Sequence, residues 1–304
     1  MRSRDRDTVA RVALATHLPN HRVGTLERLG EGEDNVAYEV DGELILRVSK
    51  ATDPAPVVER EARLLAAVAA VSPLPVPEPL FTAPELGCLA YRKLPGVPLL
   101  ALPDRAAYTG PVAAALGRLL GALHAVPVER MAELVEPDHQ PLADWLDEAA
   151  ENHAAVADRL PDGHRPGVAA FLAAPPPDGG YVPVFSHNDL GIEHVLVDPA
   201  RPVVTGVLDW TDAALVDPAY DFGLVLRDLG PAALETALDA AGRAGPDRDR
   251  LRDRATFYAR CGVLEDLVYG FEAPDREAYV DKCLATLHWL FPTPDGRGAA
   301  PGDR

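Results

Sequence analysis

"HNDLGIEHVLVD" (residues 187–198) sets two histidines, two aspartates and a glutamate into twelve positions, and "VVTGVLDW" (203–210) follows after the short connector "PARP". Both segments end or begin in β-branched alternation, so the pair reads as a β-hairpin with polar residues at its mouth. Pairing Asp198 with Val203 sets His194 opposite Val207 and Asp209 on the diagonal of the same face, a spacing of roughly 7–8 Å. Three readings are open at this point. His187, Asp189, His194 and Asp209 could form the cage of a metal-dependent hydrolase. They could form a phosphoryl-transfer loop, in which one carboxylate accepts the proton of an attacking hydroxyl while cation ligands neutralise phosphate oxygens. The histidines could also simply fill a polar turn.

The order His187-x-Asp189-x-x-x-x-His194, then Asp209 after the next hairpin, follows the logic of the protein-kinase catalytic loop and its metal-binding aspartate. With "VTGVLDWTDAALVDPAYDF" (204–222), and more loosely "LGEGEDNVAYEV", "LILRVSK", "REARLL" and "LLGALHAVP", the chain resembles the aminoglycoside phosphotransferase family and its macrolide 2′-phosphotransferase relatives. The resemblance covers most of residues 25–290. It implies an α+β, bilobal, protein-kinase-like fold: a β-rich N-lobe over 1–95, a mainly helical C-lobe over 96–291, and a disordered tail over 292–304. It implies Asp189 as catalytic base, His194 and Asp209 as metal ligands, and His187 and Asp221 as supports of the loop. His194 stands where the family usually has Asn, as in the macrolide branch. The resemblance implies Mg2+ as cofactor; imidazole suits Mn2+ better, so weaker dependence on Mg2+ with Mn2+ well tolerated is expected.

The N-terminal part supplies the matching half. Strands over 36–40 and 43–48 join at Asp41-Gly42, a hairpin signal. Gly30 and Gly32 in "GEGEDN" are placed to cover phosphates with backbone N–H groups, though such a pair is often only a turn. Period two puts Ile45 and Arg47 on one face. The resemblance then makes Arg47 the phosphate-binding cation, with Lys50 the alternative. In "VVEREARLLAAVAAV" (57–71) the apolar stripe Val57, Leu64, Leu65, Val68 includes Glu61, whose burial demands a partner; Arg47 is that partner, in preference to any pairing of Glu59. Tyr91, Arg92, Lys93 and Leu94 follow as the hinge that contacts the purine of ATP or GTP.

Prolines at 73, 75, 77 and 79 exclude helix interior and mark the linker. Beyond it, helices are expected over 111–127, 142–160 and in four segments between 218 and 291. Asp217-Pro218 reads as a helix start, with Asp217 a cap rather than a catalyst. His124 is read as structural, and Trp145, Trp210 and Trp289 as core or pocket wall. Asp212, Glu265 and Asp266 are candidates to bind amino groups of an acceptor.

The net charge of −18, from 47 acidic against 29 basic residues, excludes nucleic acid as a natural partner and fits a cationic small molecule. No apolar run reaches the roughly 20 residues needed to span a bilayer, so no membrane partner is expected. Cys88, Cys261 and Cys283 are too far apart for a zinc knuckle and suit a reducing, cytoplasmic setting. The expectation is a monomeric kinase of a hydroxyl on a cationic antibiotic, a macrolide or an aminoglycoside. A kinase of a small metabolite alcohol, the metal hydrolase and a catalytically silent nucleotide-binding protein are the alternatives.

Overall fold

The computed structural model describes residues 3–32 and 34–293; the tail expected from 292 lies outside the described residues from 294 onward. The first described element is helix α1 (Ser3–His17). A five-stranded antiparallel sheet follows, built from β1 (Leu26–Glu31), β2 (Asn35–Val40), β3 (Leu44–Ser49), β4 (Pro79–Ala83) and β5 (Cys88–Arg92) in the order β1-β2-β3-β5-β4. Asp41 and Gly42 both have positive φ, 54° and 72°, as a tight β2–β3 hairpin requires. Ala10, Ala13 and Leu14 of α1 seal one sheet face against Val36, Tyr38, Val40 and Leu46.

Helix α2 (Pro54–Ala69) crosses between β3 and β4. Its buried positions are Val58, Leu64, Leu65 and Val68. Val57 is only half-buried and borders a cavity with Glu61, Val58 taking its place in the core, while Leu64, Leu65 and Val68 are buried as periodicity set them. Strand β4 lies in the proline-rich segment, at the sheet edge, where a residue without an N–H is tolerated.

The remainder is mostly helical: a short strand β6 (Val97–Pro98), then α3 (Ala106–His124), α4 (Val128–Met131), α5 (Leu142–Val156) and α6 (Arg165–Leu172). After these come β7 (Val184–Ser186), β8 (Val195–Val197), β9 (Val204–Val207) and β10 (Ala214–Val216). Helices α7 (Tyr220–Leu229), α8 (Pro231–Ala240), α9 (Gly245–Glu272) and α10 (Glu277–Leu290) complete the described chain. Helix α3 starts five residues earlier than periodicity indicates, carrying Pro111 inside it. Gly117 lets α3 touch α8: a Cβ there would stand 2.2 Å from the Ala237 carbonyl oxygen. Helix α7 begins at Tyr220 rather than at Pro218. Asp217 instead closes a local turn onto the Ala219 amide, at 2.9 Å, and takes a paired contact from Arg254.

The β8–β9 hairpin is the element that positions the site. Its register differs from the expected one by a residue at the open end: Val195 pairs with Val207, Leu196 with Gly206 and Val197 with Val204. The irregularity leaves Thr205 as an extra residue, a β-bulge. His194 consequently lies opposite Leu208, whose N–H donates to the His194 carbonyl at 2.8 Å. Leu94 fills the space that a side chain at Gly206 would need.

Candidate active site

The segment 186–190 is held from below by one carboxylate. Asp221, fully buried on α7, accepts from the Ser186 hydroxyl at 2.5 Å, the Asn188 amide at 3.0 Å and the Leu190 amide at 3.2 Å. His187 is also buried. Its Nδ1 accepts from the Asp189 amide at 3.2 Å, which leaves the proton on Nε2, donated to the Leu208 carbonyl at 2.9 Å. Burial holds this ring's pKa down, so it stays neutral, and Trp210 packs on it at 4.5 Å. With both nitrogens committed to backbone groups, His187 is no metal ligand. Among the described residues no group of three His, Cys, Asp or Glu side chains can hold a metal ion. The hydrolase cage has therefore lost its geometric basis.

What this anchoring presents is Asp189, partly exposed at the mouth of the hairpin. His194 Nε2 lies 3.0 Å from its Oδ2. Burial works against the charged imidazole, yet the contact with Asp189, with Glu193 and Asp209 nearby, raises its pKa to about 9. At neutral pH His194 is thus a cation paired with Asp189, and the role expected for it as a metal ligand beside Asp209 requires its neutral form. Asp209 sits in the left-handed region at φ 56°, an unusual conformation for a residue other than glycine. Its carboxyl is partly desolvated, which favours protonation, but Arg47 and His194 outweigh that and hold its pKa low.

Arg47 reaches this group from β3. Its Nη1 contacts Glu61 Oε1 of α2 at 2.6 Å, an ion pair by charge and distance though poorly aligned as a hydrogen bond. Its Nη2 donates to Thr211 Oγ1 at 3.0 Å and lies 3.9 Å from Asp209 Oδ1. Burial raises the Glu61 pKa against the pull of Arg47, while Glu61 and Asp209 keep Arg47 firmly charged despite its own burial. A permanently charged guanidinium at this distance decides the pair in favour of ionisation. Lys50, the alternative cation, points elsewhere: it pairs with Glu31 at 2.9 Å and donates to the Gly32 carbonyl.

A cavity of about 670 Å3 lies between the sheet and the hairpin, bordered by Gly30, Gly32, Arg47, Tyr91, His194 and Asp209. A Cβ on Gly30 would meet nothing within 4 Å, and one on Gly32 only the Asn35 carbonyl at 4.0 Å. Neither glycine has positive φ, so their smallness serves the open space rather than the protein's own packing. Of the remaining nucleotide-site candidates, Ile45 is packed in the core and, in the hinge, Arg92 is exposed at the end of β5. The Lys93 amide is committed to the Glu43 carbonyl at 2.8 Å, and its side chain pairs with Glu39.

The three acceptor candidates separate. Asp212 borders the cleft; desolvation and the carboxylates of Asp189, Asp209 and Asp34 raise its pKa to about 6. Glu265 is solvent-accessible yet ringed by protein, raised by desolvation and by Asp266, and within electrostatic reach of Asp189 and Glu148. Asp266 is not free: it contacts Lys282 at 2.7 Å and Arg227 at 3.0 Å. Those cations also bind Asp228 and Glu193, and Asp228 accepts from the Ile192 amide at 3.1 Å. Sequence spacing carried no sign of this buried group, because its members come from four separate segments. It also missed Asp138, which accepts from Asn188 Nδ2 at 3.1 Å, and Arg243, which donates to His124 Nδ1 at 2.6 Å. His124, held neutral with its pKa pushed down to about 3 by burial and by Arg243, contacts Ser186 at 3.1 Å and so backs the Asp221 anchor.

The model of one protein family, described as a phosphotransferase enzyme family (APH), matches residues 25–254. Among curated proteins, the chain is 28% identical to viomycin phosphotransferase of Streptomyces vinaceus over 201 residues, 64% of this chain and 67% of that one. It is 41% identical to the uncharacterized protein YcbJ of Bacillus subtilis (strain 168) over 71 residues, only 22% of this chain and 23% of that protein's length. Among solved structures, the GDP and kanamycin complex of APH(2")-IIia superposes with a TM-score of 0.68 at 23% identity, covering 92% and 97% of the two chains. Macrolide 2′-phosphotransferase MphH from Brachybacterium faecium superposes with a TM-score of 0.60 at 26% identity, covering 96% and 99%. The bilobal, kinase-like α+β fold is thereby shown.

Proposed function

The chain belongs to the phosphotransferase enzyme family, and from that membership we propose that it transfers the γ-phosphoryl group of ATP or GTP to a hydroxyl of a cationic antibiotic. One observation carries the reading: Glu61, Arg47, Thr211 and Asp209 link the N-terminal sheet to the mouth of the β8–β9 hairpin, beside Asp189. A hydrolase has no use for that link. A phosphotransferase needs its phosphate cradle and its base held in one register, since positioning and charge supply most of the catalysis.

In this reading Gly30 and Gly32 let phosphates approach the backbone, Arg47 binds their oxygens, and Asp189 accepts the proton of the acceptor hydroxyl as that oxygen attacks phosphorus. Asp209 would hold a divalent cation, with phosphate oxygens of the nucleotide as the further donors. One carboxylate plus nucleotide phosphates is a donor set that suits Mg2+. The cation, when bound, neutralises charge on the phosphates. His194 joins Asp209 as a ligand only after losing its proton, because an imidazolium has no lone pair to give. Until then it orients Asp189. Asp212 and Glu265 face a cationic acceptor, and Asp266 supports the loop from beneath.

The antibiotic acceptor is supported by the likeness to viomycin phosphotransferase and to the macrolide enzyme, together with the −18 charge. Among the described residues no helix is long and apolar enough to cross a membrane. Three free, buried cysteines suit a reducing compartment such as the cytoplasm. The test is a panel of aminoglycosides, macrolides and viomycin with ATP and with GTP, read by mass for a phosphoryl adduct. The Asp189→Asn variant should lose turnover by a factor of ~10²–10⁴ while still binding nucleotide. Retained turnover in that variant removes Asp189 as base. Phosphorylation of a small metabolite alcohol with none of the antibiotics modified would replace the acceptor class.

A further inference from the structure

We propose that Thr211 is a positioning residue of the phosphoryl-transfer site: its hydroxyl holds the Arg47 guanidinium and the Asp209 carboxylate apart and aims both into the nucleotide cleft. The inference rests on the reading of Arg47 and Asp209 given above and deepens it. Arg47 Nη2 lies 3.0 Å from Thr211 Oγ1, and that oxygen lies 3.0 Å from Asp209 Oδ1. A guanidinium only donates and a carboxylate only accepts, whereas a hydroxyl has one proton and two lone pairs. The proton of Thr211 is therefore fixed toward Asp209, and a lone pair toward Arg47.

Arg47 and Asp209 already stand 3.9 Å apart. A charge-assisted contact between them would close to about 2.7–2.9 Å if nothing intervened. Closure would harm both partners. It would neutralise the carboxylate that faces the cation, and it would turn the guanidinium from phosphate oxygens toward Asp209. Asp209 lies beyond the end of β9 at Val207, in a left-handed turn, so the sheet ladder does not hold its side chain. Thr211 supplies the missing constraint two residues later. Its branched Cβ restricts the side chain to few rotamers, so the hydroxyl stays where both partners need it. Its place on the wall shared by the 670 Å3 cleft and a second cavity of about 650 Å3 suits a spacer between lobes. The bond it makes with Arg47 spans 164 residues of sequence.

The test is isothermal titration of a non-hydrolysable ATP or GTP analogue into the full chain, once with Mg2+ and once with EDTA. Thr211→Val keeps the shape and removes the hydroxyl, and Thr211→Ser keeps the hydroxyl. The expected result for Thr211→Val is binding about tenfold weaker with Mg2+, near 1.4 kcal/mol. The gain that Mg2+ brings over EDTA should also shrink, at an unchanged melting temperature, and Thr211→Ser should come back to within about threefold of the parent. Parent-like binding by Thr211→Val under both conditions, or a serine variant as weak as the valine one, overturns the proposal. Failure of the underlying reading is separate: it would show as no analogue binding by the parent protein, or as no loss on Arg47→Ala.

Discussion

Lys282 is 1% exposed, and its Nζ lies 2.7 Å from Asp266, 3.3 Å from Asp228 and 3.3 Å from Glu193. Arg227 is the other cation of the group, at 2.8 Å from Asp228, 3.0 Å from Asp266 and 3.9 Å from Glu193. Two cations against three carboxylates leave one negative charge; Lys282→Met leaves two around a lone arginine. Breaking a buried ion pair by removing one partner costs about 3–5 kcal/mol. Arg227 keeps contact with all three carboxylates, so the lower end applies, about 3 kcal/mol. With about 2.1 cal/mol/K per residue over 304 residues, the unfolding entropy is about 0.64 kcal/mol/K, and the melting temperature should fall by about 5 °C. The pH dependence has a definite sign. In the parent, Lys282 is held above its ordinary pKa and Asp228 below its own, so neither titrates between pH 5 and pH 9. In the variant one carboxyl is pushed up and relieves the repulsion by protonating, so the deficit narrows as pH falls toward 5. Removing a carboxylate as well, in Lys282→Met with Asp266→Leu, restores the parent balance and should recover at least half of the loss. Thermal melts followed by circular dichroism decide it. A Lys282→Met melt within 1 °C of the parent, or a double variant no better than the single one, refutes the argument.

Gly32→Val should leave the melting temperature unchanged while weakening nucleotide binding about tenfold, since the added side chain meets open space rather than protein; a destabilised variant with parent-like binding would contradict this. Asp212 is charged above its pKa of about 6 and neutral below it, so KM for a cationic acceptor should rise as pH drops from 7 to 5. Asp212→Asn should show no such rise when initial rates are measured across that range. His194 releases a proton with a pKa of about 9 before it can bind a cation, so Mn2+ should activate at lower concentration as pH climbs from 6.5 to 9. The same titration with His194→Asn should be flat, and a slope equal to the parent's would free His194 of any metal role.

The β-type runs of the β2–β3 hairpin, the helix over 57–71 and the two motifs of the β8–β9 hairpin were legible because each is a local pattern of period or turn chemistry. Helix α1 escaped because acidic and basic residues break its stripe, and β4 because prolines hid an edge strand. The hairpin register slipped by one because a bulge at Thr205 leaves no mark in alternation. That slip set His194 opposite Leu208 instead of Val207.

Sequence alone determined the residue types of the site and their order: a carboxylate after His187, a second one after the next strand, an arginine on a period-two face, and a buried glutamate in need of a partner. Which glutamate answers Arg47 was deducible, since an unpaired buried charge is too costly to persist. Only the tertiary structure decided which carboxylates are free. Asp266 reads like Glu265 along the chain, yet Lys282 and Arg227 enclose the one and leave the other exposed. Thr211 likewise became a spacer only when β3 and the turn after β9 were brought within 3.0 Å. Charge pairing depends on distance and burial, and across 164 residues those are properties of the packed fold rather than of spacing in the chain.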